Sequence, residues 1–201
     1  MSREIIAILR GVTPDAVLPI GEALVTAGID VIEVPLNSPD PLQSIETLAK
    51  GLAGRARIGA GTVLTTADVD AVHAAGGTLI VSPDCNPDVI DRTKALGMAS
   101  YPGVATPTEC FTALRHGADG LKFFPALLLG TKGLSAIKAV LPPAAKTYAV
   151  GGVGPSDFAD WFGAGVTGFG MGTGVYKPGM SAAEVSARAQ EIVAAYDAAK
   201  A

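Results

Sequence analysis

The sequence predicts an α/β fold, a (β/α)8 barrel formed as one domain over residues 1–201, and three observations carry that prediction. Short apolar runs alternate with amphipathic stretches, the alternation recurs about every 25 residues from end to end, and no change of composition marks a linker. Strand–helix units joined by right-handed crossovers close naturally into a barrel, with an open doubly wound sheet as the alternative. With 201 residues and 49% hydrophobic side chains, the chain can bury a core without staples.

Eight runs read as strands: Ile5 to Arg10, Val31 to Pro35, Arg57 to Thr62, Leu79 to Pro83, Ala99 to Val104, Gly120 to Phe124, Lys146 to Val150 and Gly168 to Met171. Each is mostly apolar on both parities, as strands of a parallel sheet covered on both faces should be. After the first run, Thr13-Pro14 places a capping hydroxyl before a proline suited to the first helical position, and Val17, Ile20 and Leu24 follow with helical spacing. Thr106-Pro107 repeats that start after the fifth run, with Glu109 at capping-box distance. Phe158, Trp161 and Phe162 mark a helix after the seventh run. Ser181 and Glu184 open the last helix, whose apolar side is Val185, Ala189, Ile192 and Tyr196. I-to-i+4 spacing of this kind serves packing on a sheet.

The net charge of −4 comes from scattered charges of both signs, and only 5% of residues are aromatic, so no nucleic-acid footprint is present. The apolar run near the start is too short for a signal peptide or a membrane span, and a soluble cytoplasmic protein is expected. Cys85 and Cys110 lack metal-ligand spacing and read as reduced, incidental thiols. His73 and His116 have no carboxylate or cysteine partners at ligand spacing, so neither a metal nor a cofactor is expected.

In barrels of this kind chemistry gathers at the carboxyl ends of the strands. Lys122 lies inside the sixth run, where an ammonium group is costly to bury. It is either paired or kept largely neutral, and a neutral lysine is a nucleophile suited to imine chemistry with a carbonyl substrate. The alternative is a strand-end lysine whose head reaches water. Glu33, flanked by Val31, Ile32, Val34 and Pro35, has a raised pKa unless a cation sits nearby. Opposite Lys122 it would move protons, and otherwise it forms a structural ion pair with Arg10 or Lys122. Arg10 offers a fork for a carboxylate or phosphate, Thr62 could hold a substrate carboxylate or hydroxyl, and Pro83 ends the fourth run. Arg57 and Lys146 open their strands and belong to the opposite rim. The turns Val150-Gly151-Gly152-Val153-Gly154 and Gly168 to Gly174 follow the last two strands, where a phosphate commonly sits, and they imply a phosphorylated substrate. Their alternative role is tight turning alone, and neither matches a nucleotide-binding fingerprint.

Five blocks together resemble one family: Ile6 to Gly11, Glu33 to Pro39, Ile58 to Leu64, Leu121 to Pro125 and Ala149 to Val153 look like those of the class I keto-deoxy-phosphosugar aldolases. The resemblance covers nearly the whole chain in order. It implies a trimeric barrel that needs no metal and cleaves a six-carbon 2-keto-3-deoxy-6-phosphosugar acid into pyruvate and D-glyceraldehyde 3-phosphate. Lys122 matches the Schiff-base lysine and Glu33 the acid–base carboxylate. Arg10 and Thr62 fall on positions holding the keto-acid end, Pro83 and Phe124 on the pyruvate pocket, and Gly151, Gly152, Gly172 and Thr173 on the phosphate-binding turns. Asn37, four residues after the glutamate, and Val150, just before the Gly-Gly pair, resemble the galactonate branch of the family. Thr173 and Gly174 depart from the serine-plus-acid pairing expected there. The gluconate epimer and 4-hydroxy-2-oxoglutarate are neighbouring substrates. Readings outside this class are a phosphosugar isomerase or epimerase using Glu33 as base, and a non-catalytic barrel that senses a metabolite.

Overall fold

The computed structural model describes residues 3–201. The elements run β1 (Ile5–Ile8), α1 (Pro14–Ala27), β2 (Val31–Pro35), α2 (Pro41–Gly51), β3 (Arg57–Gly61), α3 (Thr66–Ala74), β4 (Leu79–Val81) and α4 (Pro87–Ala95). They continue with β5 (Ala99–Tyr101), β6 (Gly103–Val104), α5 (Pro107–Arg115), β7 (Leu121–Phe123), α6 (Ala126–Lys138), β8 (Thr147–Val150), a 3-10 turn over Pro155–Asp157, α7 (Phe158–Gly163), β9 (Gly168–Met171) and α8 (Ala182–Lys200).

Neighbouring strands pair in parallel in the order β5-β4-β3-β2-β1-β9-β8-β7-β6. β5 and β6 are two pieces of one strand, separated only by Pro102, which has no amide hydrogen to give to a ladder. β5 pairs with β4 and β6 with β7, while the Lys122 amide donates to the Pro102 carbonyl at 2.9 Å. The ring therefore closes through this strand, and the fold is the (β/α)8 barrel that the alternating pattern predicts, with the fifth run broken in the middle.

Helix starts largely follow the sequence signals. Capping boxes close at Thr106/Glu109 and Ser181/Glu184. Thr13 differs: its hydroxyl makes no cap bond, because its own carbonyl takes the Ala16 amide at 3.1 Å. A third box, Thr65/Asp68, starts α3.

The core has two parts. The larger lies between strands and helices and includes Ile5, Leu9, Ile32, Phe123, Phe158 and Phe169. The smaller fills the ring itself with Ile6, Ile8, Leu79, Val81, Tyr101, Tyr148 and Val150. Side chains on alternate positions of each strand thus serve one core or the other, which explains runs that are apolar on both parities. No helix among the described residues is long and apolar enough to cross a membrane, and none of their His, Cys, Asp or Glu side chains cluster in a way that could hold a metal ion.

Candidate active site

Glu33 lies on the inward parity of β2, in register with Ile8 on one side and Gly59 on the other. It is 2% exposed, and its Oε2 has no hydrogen-bond partner. The carboxyl fits because β3 carries no side chain opposite it: a Cβ on Gly61 would lie 2.0 Å from Oε2. Burial pushes the Glu33 pKa up to about 7, against the opposing pull of the Lys122 and Arg10 charges.

Lys122 sits on the inward parity of β7, between Gly103 of β6 and Tyr148 of β8. It is 7% exposed. Burial lowers its pKa from the usual ammonium value; Glu33 works in the other direction, and Arg10 lowers it further. Nζ lies 4.7 Å from the centroid of the Phe124 ring, a cation–π distance for the protonated amine. No ion pair within 4 Å includes Lys122 or Glu33 among the described residues. They line one small cavity of about 10 Å³ with Ile6, Val81, Tyr101, Tyr148 and Gly170, room for about one water molecule. The two groups feel each other's charge without forming an ion pair.

Above that cavity opens a cleft of about 460 Å³ at the carboxyl ends of the strands, sharing Ile8, Val150 and Gly170 with the cavity below. Its wall includes Arg10, Phe124, Val150, Gly151, Gly152, Gly172 and Thr173. β1 stops at Ile8, so Arg10 stands in the following turn, exposed, and its guanidinium donates to Oδ1 of Asn37. Gly151 and Gly152 take φ of +90° and +78°, in the left-handed region that glycine occupies freely. The amides of Gly152, Gly172 and Thr173 donate to no carbonyl among the described residues, which leaves them available to an anion.

Thr62 and Pro83 stand just past β3 and β4, but neither lines the cavity or the cleft. Thr62 holds φ of +57°, a strained conformation for a β-branched residue that recurs at ligand sites. Sequence reasoning missed Gly61, whose inward parity beside Glu33 was the available signal, and Tyr176 and Pro178, which complete the cleft from the turn after β9. Arg57 and Lys146 are exposed at the opposite rim, where Lys146 pairs with Glu4 at 2.8 Å. Burial raises both cysteine thiols, Cys110 to about 12, so neither is a ready nucleophile. His116 pairs with Asp91 at 2.8 Å, away from the cleft lining.

A family model described as KDPG and KHG aldolase matches residues 1–192. The probable 2-dehydro-3-deoxy-6-phosphogalactonate aldolase of Rhizobium meliloti (strain 1021) is 51% identical over 198 residues, 98% of this chain and 93% of that protein. The 2-dehydro-3-deoxy-6-phosphogalactonate aldolase of Escherichia coli (strain K12) is 45% identical over 192 residues, 96% of this chain and 94% of its own. A solved structure described as native KDPGal superposes with a TM-score of 0.96 at 45% identity, over 98% of this chain and 95% of that one.

Proposed function

The chain belongs to the KDPG and KHG aldolase family, and from that premise we propose how its site works. It is an aldolase, a carbon–carbon lyase, that cleaves 2-dehydro-3-deoxy-6-phosphogalactonate to pyruvate and D-glyceraldehyde 3-phosphate. The reaction runs through an imine on Lys122. The neutral amine attacks the C2 carbonyl to give a carbinolamine, and loss of water gives the iminium. Glu33, acting with a water, takes the proton of the C4 hydroxyl. The C3–C4 bond breaks, its electron pair passes to the iminium as an enamine, and the aldehyde leaves. Glu33 returns a proton to C3, and hydrolysis of the new imine frees pyruvate. The iminium is itself the electron sink, so no metal is required.

The observation that carries this reading is a pair of buried groups with opposed shifts: an amine lowered and a carboxyl raised to about 7, facing one cavity without touching. Each is thereby brought nearer the protonation state its role needs at neutral pH. Arg10 and Thr62 hold the keto-acid end, and Pro83 and Phe124 line the pyruvate pocket, roles that the family resemblance implies and that the place of Arg10 and Phe124 in the cleft wall supports. Gly151, Gly152, Gly172 and Thr173 hold the phosphate, a role supported by the free amides of the last three. The galacto epimer is favoured because Val150, in the cleft wall, and Asn37, which accepts from Arg10 of that wall, resemble that branch. Sodium borohydride with pyruvate tests the lysine: an irreversible mass gain on Lys122 is expected, and a chain that gains none refutes the imine. Turnover of both phosphosugar epimers tests the branch, and clear preference for the gluco epimer overturns it.

We also infer a cytoplasmic homotrimer acting in galactonate catabolism. Exposed Leu127 and Leu128, at 61% and 76%, support an interface between copies, because adjoining apolar side chains on a surface mark contact sites. Sedimentation of the purified protein as a monomer would exclude it.

A further inference from the structure

The amino end of the barrel, opposite the cleft, is closed by two aromatic rings. Tyr101 on β5 and Tyr148 on β8 point inward and meet edge to face, with centroids 5.3 Å apart and planes at 87°. Gly120, just before β7, makes the space: a Cβ there would lie 2.6 Å from the Tyr148 ring and 2.9 Å from that of Tyr101. Both rings line the small cavity under Lys122 and Glu33, and Tyr148 is the register neighbour of Lys122. Their hydroxyls point the other way. That of Tyr148 donates to Oε2 of Glu4 at 2.7 Å, while Oε1 of Glu4 receives Lys146 at 2.8 Å, and that of Tyr101 accepts from Arg57 at 3.4 Å. Tyrosine suits this place because its ring faces the apolar interior and its hydroxyl reaches the wet rim.

We propose that Tyr101 and Tyr148 are positioning residues of the reaction: they stopper the barrel beneath the amine, and Glu4 latches the stopper, so that solvent reaches Lys122 and Glu33 only from the cleft. Dehydration is the largest influence on both groups, ahead of every charge nearby. The charged or titratable groups around Lys122 are Glu33 from β2, Arg10 from the turn after β1, Tyr101 from β5 and Tyr148 from β8. β4 and β9 present Val81 and Gly170, which carry no charge. Water entering from below would hydrate the ammonium, raise the Lys122 pKa toward its ordinary value and reduce the neutral amine at neutral pH.

The inference rests on the imine reading, and its test separates the two. In the full-length protein, the rate of pyruvate adduct formation on Lys122 in the presence of cyanoborohydride is followed against pH by mass spectrometry. For Tyr148→Ala the midpoint is expected to move up by about one unit, so the rate at pH 7 falls about tenfold. Tyr148→Phe keeps the ring and loses only the hydroxyl with its bonds to Glu4 and Tyr101, so its midpoint moves less. Tyr101→Leu gives the same upward shift and serves if Tyr148→Ala does not fold. A folded Tyr148→Ala or Tyr101→Leu that loses thermal stability but keeps the wild-type midpoint overturns the stopper alone. A wild-type chain that forms no adduct overturns the imine reading and the stopper with it.

Discussion

Gly61 and Glu33 compete for one volume: the carboxyl group of Glu33 occupies the place where any side chain at position 61 would begin, 2.0 Å from Oε2. An acid residue in the ring therefore depends on an absence in the strand beside it. Gly61→Ala should displace the carboxyl from its path to the amine and lower turnover by roughly a hundredfold, the lower end of what acid–base catalysis contributes. Borohydride trapping of pyruvate should continue, because the lysine is untouched. A steady-state assay beside a trapping assay checks this, and an alanine variant with wild-type turnover refutes it.

Replacing the amine has the opposite signature. Lys122→Met should leave no covalent adduct and less than about a thousandth of wild-type turnover. It also removes one of the two charges that hold the Glu33 pKa down, leaving Arg10, so Glu33 should titrate above about 7. The carboxyl stretch in difference infrared spectra across pH reports the second effect. Turnover that survives in Lys122→Met would point to chemistry led by Glu33 alone.

Glu33 sets a pH dependence of stability whose sign follows from its raised pKa. The folded chain holds the carboxyl proton more tightly than the unfolded chain, in which glutamate titrates near ~4.3. Its contribution is fully present below that value and is lost as pH rises through about 7. Glu33→Gln should therefore melt near the wild-type temperature at pH 4 and above it at pH 8, with a gain of at most about 4 kcal/mol. Calorimetry at the two pH values decides it. Equal gains at both would show that the charge is not the cause.

Gly152→Ala tests the phosphate turn separately from the lysine. A side chain at φ +78° is strained, and its Cβ would lie 2.6 Å from that of Leu127. KM for the phosphorylated substrate should rise about tenfold or more, in keeping with the loss of one charge-assisted hydrogen bond. Pyruvate carries no phosphate, so its trapping on Lys122 should be unchanged.

Asn37→Ala releases the Arg10 guanidinium from its only hydrogen bond to a side chain among the described residues. The exposed arginine then samples more rotamers before it meets a carboxylate. KM should rise roughly threefold to tenfold with little change in kcat, as expected when uniform binding is weakened. A kcat loss with unchanged KM would instead place Asn37 in the chemical step.

Strands, helices and barrel closure were legible in the sequence because each depends on a local pattern: apolar runs of both parities, proline after a threonine, glutamate three residues on. Lys122 and Glu33 stood out as charges embedded in apolar strands. The break at Pro102 was hidden, because it depends on which neighbour receives each hydrogen bond. So was the failure of Thr13 to cap, since the competing acceptor is its own carbonyl. Gly61 and Gly120 were silent for a similar reason. A glycine in a strand names no partner, and only the assembled ring shows whose side chain it admits.

Six inward positions carry no side chain at all: Gly59 and Gly61 of β3, Gly103 of β6, Gly120 before β7, and Gly168 and Gly170 of β9. At each, an added methyl would come within 2.7 Å of a neighbouring atom. The wall of the ring is thus closed to gradual remodelling, since even the smallest enlargement collides with Glu33, the paired tyrosines or the adjoining strand. Fitting another sugar acid is thereby directed to the turns that crown the strands and to inward positions that already carry a side chain.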